Sequence, residues 1–287
     1  MHTRFNQAGA ATGRLSSVEP NLQNIPIRTP LGQKIRRAFV APKGRALVCA
    51  DYSQIDLRVL AHLSEDPALC EAFGRGGDIH LQTAAEVFGV APEKVDKEMR
   101  RRAKAVNFGI VYGQGAHGLS QALGIPFGEA KEYIAMYFKR YRGVERWLRA
   151  NLEAARRDGC VRTLLGRVRY LPDIGARNFA VRAGSERIAG NTPIQGGSAD
   201  IIKVAMIHIA RELPERHPDT RLILQVHDEL IFEAPKADVE PFGRWVRERM
   251  EGAVKLKVPV VVDVKAGANW AEAEALELER HAARGAR

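Results

Sequence analysis

The sequence predicts an α+β fold, with one antiparallel sheet packed on helices and a long, mainly helical segment inserted between its strands. Three observations carry that expectation. Short β-prone apolar runs stand at 46–50, at 221–226 with 229–233, and at 258–265. The second pair is separated only by His227 and Asp228, the spacing of a tight hairpin. Between about Asp66 and Arg187 the apolar residues instead follow a helical period.

Taken in order, Ala46-Leu47-Val48-Cys49-Ala50 reads as a strand, and Ser53 to Leu63 switches to helical periodicity with Ile55, Val59 and Leu63 available for burial. Asp51 sits at the junction. The insertion predicts helices over Asp78 to Phe88, Pro92 to Tyr112, Pro126 to Tyr141 and Val144 to Asp158. Prolines near the starts and Gly113 and Gly159 at the ends support those limits. Arg221 to Val226 and Glu229 to Glu233 form the hairpin, and Val258 to Lys265 supplies a β-branched run beside it. The charged tail from Glu277 to Arg287 is expected to be a frayed helix. No internal repeat or low-complexity segment is present.

A chain of 287 residues has ample length for one large or two modest domains. Its net charge of +10 favours a polyanionic partner. That charge is uneven: Met1 to Arg45 holds eight cations against the single anion Glu19, as expected of a flank that binds a phosphate backbone. Cys49, Cys70 and Cys160 are odd in number and lack metal-ligand spacing, which argues against a disulfide framework or a zinc site and makes a reducing cytoplasm the expected compartment. No apolar run approaches the length needed to span a bilayer, so a soluble protein without a membrane partner is expected.

The segment Leu224-Gln225-Val226-His227-Asp228-Glu229-Leu230 sets two adjacent carboxylates at the hairpin tip, and Asp51 ends another apolar strand. Such carboxylates suit a two-metal phosphoryl-transfer site, in which Mg²⁺ takes oxygen ligands from protein, water and substrate phosphate. Taken singly, each Asp also fits a turn or a helix cap. On the helix from Pro92, Arg100, Lys104, Phe108 and Tyr112 recur every four residues along one face. Two cations followed by two aromatics suit a nucleoside triphosphate. An amphipathic helix with core aromatics and snorkelling cations has the same pattern.

Together these segments resemble the bacterial DNA polymerase I group, the family A DNA polymerases. Asp51-Tyr52-Ser53-Gln54-Ile55-Asp56-Leu57-Arg58 resembles the family's motif A, Arg100 through Gly113 its motif B, and Gln225-Val226-His227-Asp228-Glu229 its motif C. Thr12-Gly13-Arg14-Leu15-Ser16-Ser17, Pro20 through Pro26 and Asn191 through Gly196 extend the resemblance from residue 2 to about 272. It implies a palm at 1–65 and 188–287, the latter including the C-terminal tail, with fingers at 66–187 between them. Asp51, Asp228 and the Tyr52 carbonyl would hold two Mg²⁺ ions, with Glu229 auxiliary. Arg100, Lys104 and His80 would grip phosphates, Lys104 also serving as acid to the leaving group. Phe108 would pack on the incoming nucleotide and Tyr112 stack near the templating base, with Gln54, Ile55 and Asp56 beside the nucleotide. Arg14, Asn21, Gln23, Asn24, Arg28, Asn191, Gln195 and His227 would contact DNA, several of them probing the minor groove of the new pair. The expected activity is template-directed DNA polymerisation in replication or repair. The partners would be a primer-template and deoxynucleoside triphosphates, and the enzyme would be a monomer.

Two departures bear on that reading. Asp56 stands where the family usually has Glu, at a position associated with excluding the ribose 2′ hydroxyl. The thumb and exonuclease domains that precede this region in the family are expected to be absent, with low processivity, as in a truncated, fragmentary or naturally minimal enzyme. The competing readings are a non-catalytic nucleic-acid-binding remnant and a single-subunit RNA polymerase. Intact Asp51, Asp228 and Lys104 oppose the first; Asp56 and the Gln195 segment oppose the second.

Overall fold

The computed structural model describes residues 1–27 and 29–278. Arg28 and the tail expected to be helical beyond Leu278 lie outside them. The N-terminal segment pairs β1 (Arg4–Asn6) with β2 (Ser16–Val18), followed by α1 (Pro30–Arg37). Then come β3 (Arg45–Tyr52), α2 (Ile55–Ser64) and α3 (Pro67–Gly74).

The helical stretch continues with α4 (Ile79–Phe88), α5 (Lys97–Val111), α6 (Ala116–Leu123), α7 (Phe127–Arg140) and α8 (Arg142–Asp158). A small hairpin, β4 (Cys160–Arg162) with β5 (Val168–Tyr170), leads into α9 (Phe179–Arg216). The chain then forms β6 (Arg221–Val226), β7 (Glu229–Pro235), α10 (Val239–Glu251), β8 (Val262–Gly267) and β9 (Glu274–Ala275).

The fold mixes helices with antiparallel sheets. Its main sheet has the order β6-β7-β3-β8-β9, every neighbouring pair antiparallel. The run expected beside the hairpin lies instead across β3 from it and starts at Val262, because β3 is central and β7 already occupies its other edge. Alternation along β3 sorts its side chains between two clusters. Val48, Ala50 and Tyr52 join the large core with Leu230, Phe232 and Val264, against the helices. Leu47 and Cys49 point the other way, into a smaller cluster with Leu22, Ile231 and Trp270. Asp51 continues this second face.

One expected helix changes its start. Pro92 opens only a short 3₁₀ turn to Lys94; Val95 is extended, and α5 begins at Lys97 where the Asp96 side chain accepts from the Met99 N–H. The 38-residue α9 was not expected, since Pro193 and Pro214 both lie inside it. Pro193 deprives the Ala189 carbonyl of its usual N–H partner, and Asn151 Nδ2 of α8 donates to that oxygen at 2.9 Å. Among the described residues no helix is long and apolar enough to cross a membrane.

Candidate active site

Asp51 lies within β3, one residue before its end. Direct pairing puts Glu229 of β7 and Asp263 of β8 opposite it, so three carboxylates share one row of one sheet face. The Asp51 side of the row opens to solvent. Its carboxyl is nonetheless pushed up to about 7, by the protein packed around it and then by Glu229 and Asp263, with Lys265 opposing. Asp263 and Lys265 escaped sequence reading because only the register of β8 brings them here.

Asp228 reaches the same place through the hairpin. Two residues join β6 to β7, and the first, His227, takes a φ of 53°, the left-handed value a turn this short demands. The turn is tied to β3 by the Tyr52 N–H, which donates to the Asp228 carbonyl at 3.1 Å. The Tyr52 hydroxyl points away and donates to the Met250 carbonyl in the core, so only its backbone faces the cleft. Burial, Asp56 and Asp51 all raise the Asp228 pKa, against Arg14. Glu229 is turned toward the second cluster, where Cys49 and Trp270 hydrogen-bond to it and Arg36 lies nearby. The Arg36 guanidinium is itself stacked 3.8 Å over the Trp270 ring.

Arg14 links these carboxylates to Asp56, its Nη2 lying 3.7 Å from Asp228 Oδ1 and 3.5 Å from Asp56 Oδ1. Asp56 is buried in the first turn of α2, which starts after Gln54 in a left-handed conformation, φ 55°. Ile55 is buried in the core. Tyr112, capping α5, donates to Asp56 Oδ2 at 3.4 Å, so α5 and the sheet meet at Asp56.

Upstream on α5, Phe108 stacks on Tyr112 at 5.9 Å, and Lys104 Nζ lies 5.8 Å from the Phe108 ring centre. Arg100 Nε is paired at 2.6 Å with Asp78, the capping residue of α4. Asp78 is a partner that helical spacing could not disclose. His80 is buried, and Asn107 Nδ2 lies 3.0 Å from its Nδ1. An amide NH₂ donates, so the ring proton sits on Nε2. Burial, aided by Lys104 and Arg100, pushes the His80 pKa down to about 4, leaving a neutral donor rather than a cation.

The remaining sequence-predicted residues separate into groups. Asn191 and Gln195 lie one turn apart on α9, and Asn191 Nδ2 donates to the Tyr112 carbonyl at 3.0 Å. Gln23 is engaged with the motif strand, its Nε2 donating to Gln225 Oε1 at 2.9 Å. Asn21 caps a 3₁₀ turn through the Gln23 N–H, and Asn24 ends that turn exposed.

The donor set suits a hard cation: two carboxylates whose raised pKa is only partly offset by Lys265 and Arg14, and one backbone carbonyl. Among the described residues no group of three or more His, Cys, Asp or Glu is placed to hold a metal by itself. Such a partial set is the one Mg²⁺ uses when water and phosphate supply the rest.

The family model for DNA polymerase family A matches residues 1–272. The chain is 54% identical over 274 residues to the thermostable DNA polymerase I of Thermus caldophilus, covering 96% of this chain and 33% of that protein. Against DNA polymerase I of Geobacillus stearothermophilus it is 56% identical over 275 residues, covering 96% and 31%. It thus spans about a third of the length of these curated relatives. Among solved structures it resembles the POL domain of Pol1 from M. smegmatis in complex with DNA primer-template and dNTP. The TM-score is 0.91 and the identity 49%, over 95% of this chain and 48% of that one. With its three motif segments gathered around one cleft and the family match running through all of them, the chain belongs to DNA polymerase family A.

Proposed function

We propose that this chain is the catalytic core of a template-directed DNA polymerase, adding deoxynucleotides to a primer 3′ hydroxyl with release of pyrophosphate. The observation that carries the reading is the meeting of Asp51, near the end of β3, with Asp228, in the β6–β7 turn, at a point where both carboxyls are raised, first by burial and then by neighbouring carboxylates. The bound state of the M. smegmatis relative, with primer-template and dNTP, supports the same partners here.

In this reading residues 1–65 and 188–287 form the palm and 66–187 the fingers, α9 running through the second boundary. Asp51, Asp228 and the Tyr52 carbonyl hold two Mg²⁺ ions, which when bound would acidify the primer hydroxyl and neutralise the triphosphate. Glu229, fixed by Trp270 and Cys49, adds negative potential behind Asp51. Lys104 and Arg100 grip the phosphates, and the Lys104 ammonium is the acid for the departing pyrophosphate. His80 contributes its Nε2–H as a neutral donor. Phe108 packs on the nucleotide, Tyr112 on the templating side, and Asp56 against the sugar. Arg14, Asn191, Gln195 and His227 line the minor-groove side of the new pair, where acceptors occur at every correct pair.

The test is primer extension with Mg²⁺, comparing deoxynucleotides with ribonucleotides. Template-dependent extension that prefers deoxynucleotides is expected. Binding without extension would make the chain a nucleic-acid-binding remnant, and preferred ribonucleotide extension an RNA polymerase.

A further inference from the structure

Asp56 is only 5% exposed, and a carboxylate so enclosed needs donors. Three separate segments provide them, unequally. Ser198 Oγ of α9 donates to Oδ1 at 2.6 Å, and Arg14 lies 3.5 Å from that same oxygen. Oδ2 has the 3.4 Å contact with the Tyr112 hydroxyl on α5. One oxygen is therefore held firmly from the palm side, while the other is held loosely and faces the α5 side.

The short Ser198 bond follows from the two glycines before it. A β-carbon on Gly197 would stand 2.9 Å from Val59 Cγ1 of α2, and one on Gly196 would collide with Thr163 and crowd the Thr12 carbonyl. The bare backbone of Gly197 lets α9 lie close against α2, one turn along from Asp56, and that of Gly196 lets it approach Thr163 and Thr12, which together bring the hydroxyl within reach. Ser198 is itself 2% exposed, and its other acceptor is the Ile194 carbonyl at 3.3 Å. If the hydroxyl were deleted, Oδ1 would keep only Arg14, which also attracts Asp228. The carboxylate would then be free to rotate toward Arg14 and away from α5.

We propose that Ser198 is a positioning residue for sugar selection: its bond to Oδ1 holds the Asp56 carboxylate with Oδ2 toward the incoming nucleotide, and so sets how strongly the chain rejects a ribose 2′ hydroxyl. The proposal rests on the reading of Asp56 as the residue against the nucleotide sugar. It assigns to α9 a part in choosing the sugar, exerted through Asp56 and separate from the base-pair contacts read for Asn191 and Gln195 on the same helix.

The experiment is a double-mutant cycle on kcat/KM for deoxy- over ribonucleotide, using the parent chain, Ser198→Ala, Asp56→Ala and the double variant. Ser198→Ala is expected to lower the ratio about 3- to 10-fold, the range of one buried hydrogen bond. In the Asp56→Ala background the same change should have no further effect. Ser198→Thr, which keeps the hydroxyl, should return the ratio toward the parent value. Should its extra methyl disturb α9, Ser198→Cys keeps a weaker donor without the added methyl and should restore the ratio in part. An unchanged ratio in Ser198→Ala beside a lowered one in Asp56→Ala would overturn the role of Ser198 and leave the sugar contact standing. Equal losses in both backgrounds would overturn it too, by showing a general packing effect. An unchanged ratio in Asp56→Ala would remove the sugar-contact reading itself, and this proposal with it.

Discussion

The acidic row on the sheet and the cationic row on α5 have opposite electrostatic deficits. At the sheet, burial and neighbouring carboxylates outweigh Lys265 and Arg14, so Asp51 and Asp228 both resist ionisation. At the helices, burial together with Lys104 and Arg100 outweighs Asp78, so His80 resists protonation. Burial is the first cause in both regions, and the neighbouring charge added to it is negative at the sheet and positive beside His80. A ligand presenting cations to the sheet and phosphates to α5 would relieve both. In the proposed reading the difference also separates two kinds of contribution: the carboxylates would act through ions they hold, whereas the α5 residues would touch the nucleotide themselves.

The largest effects should come from the sheet. Asp51→Ala or Asp228→Ala is expected to reduce extension by more than about 10³-fold while primer-template binding stays within a few fold, because in the proposed reading both would act on metal-bound phosphate in the transition state. Lys104→Ala removes one direct contact and should cost about 10²- to 10³-fold, the usual loss for a single transition-state donor. Single-turnover rates with matched binding measurements would break the comparison if Lys104→Ala proved the more damaging, or if either Asp variant extended like the parent.

The same contrast has a signature without substrate. For Asp51 and Asp228 the folded-state pKa lies above the unfolded value, so the native state takes up protons first and the chain gains stability as pH falls from about 8 toward 5. For His80 the folded value, about 4, lies below the unfolded one. Its contribution is complete above about pH 6.5 and is lost as pH falls toward 4. Urea midpoints in chelator at pH 8, 6.5 and 5 should therefore rise or hold level in the parent. In an Asp51→Asn, Asp228→Asn double variant they should fall, mostly between about pH 6.5 and 5, since the histidines of lowered pKa, His80, His62 and His227, then outnumber the raised Glu229. Parallel curves would show that the sheet carboxylates are solvated well enough to titrate normally.

Much of this contrast was legible in the sequence, and the reason is local geometry. A two-residue gap between β-prone runs fixes a hairpin and puts Asp228 at its tip; a four-residue period fixes the order Arg100, Lys104, Phe108, Tyr112. What stayed hidden depends on contacts distant in sequence. Asp263 enters the acidic row through strand register, Asp78 neutralises Arg100 across two helices, and Ser198 meets Asp56 across 142 positions. The length of α9 was hidden for another reason: proline reads locally as a break, and only the donor from Asn151 shows how the helix continues past Pro193.

A smaller effect concerns the N-terminal flank, whose excess of cations is the feature expected of a phosphate-binding surface. Log affinity for primer-template should fall linearly with log salt, with a slope of about −0.9 for each phosphate neutralised. A single substitution such as Lys34→Ala should flatten that slope by about one phosphate. An unaltered slope would move the electrostatic contact away from this flank.

The finest test concerns Asp56, where the two regions meet. A gate excludes a 2′ hydroxyl by leaving no room for it, and a carboxylate one methylene shorter than Glu leaves space of about that size. The structure sharpens this expectation, because Ser198 draws Oδ1 toward α9 and leaves only a 3.4 Å contact from Oδ2 to Tyr112. Asp56→Glu would extend the carboxylate toward α5, where it can shorten that contact and close the space. Contacts of this kind discriminate by about 1 to 3 kcal/mol, and a one-methylene adjustment should lie at the lower end, about tenfold. The ratio of kcat/KM for deoxy- over ribonucleotide is therefore expected to rise in Asp56→Glu. Equal ratios would mean that the pocket around Ser198 and Arg14 already sets the carboxylate as a longer side chain would, so that discrimination resides in how Asp56 is held rather than in its length.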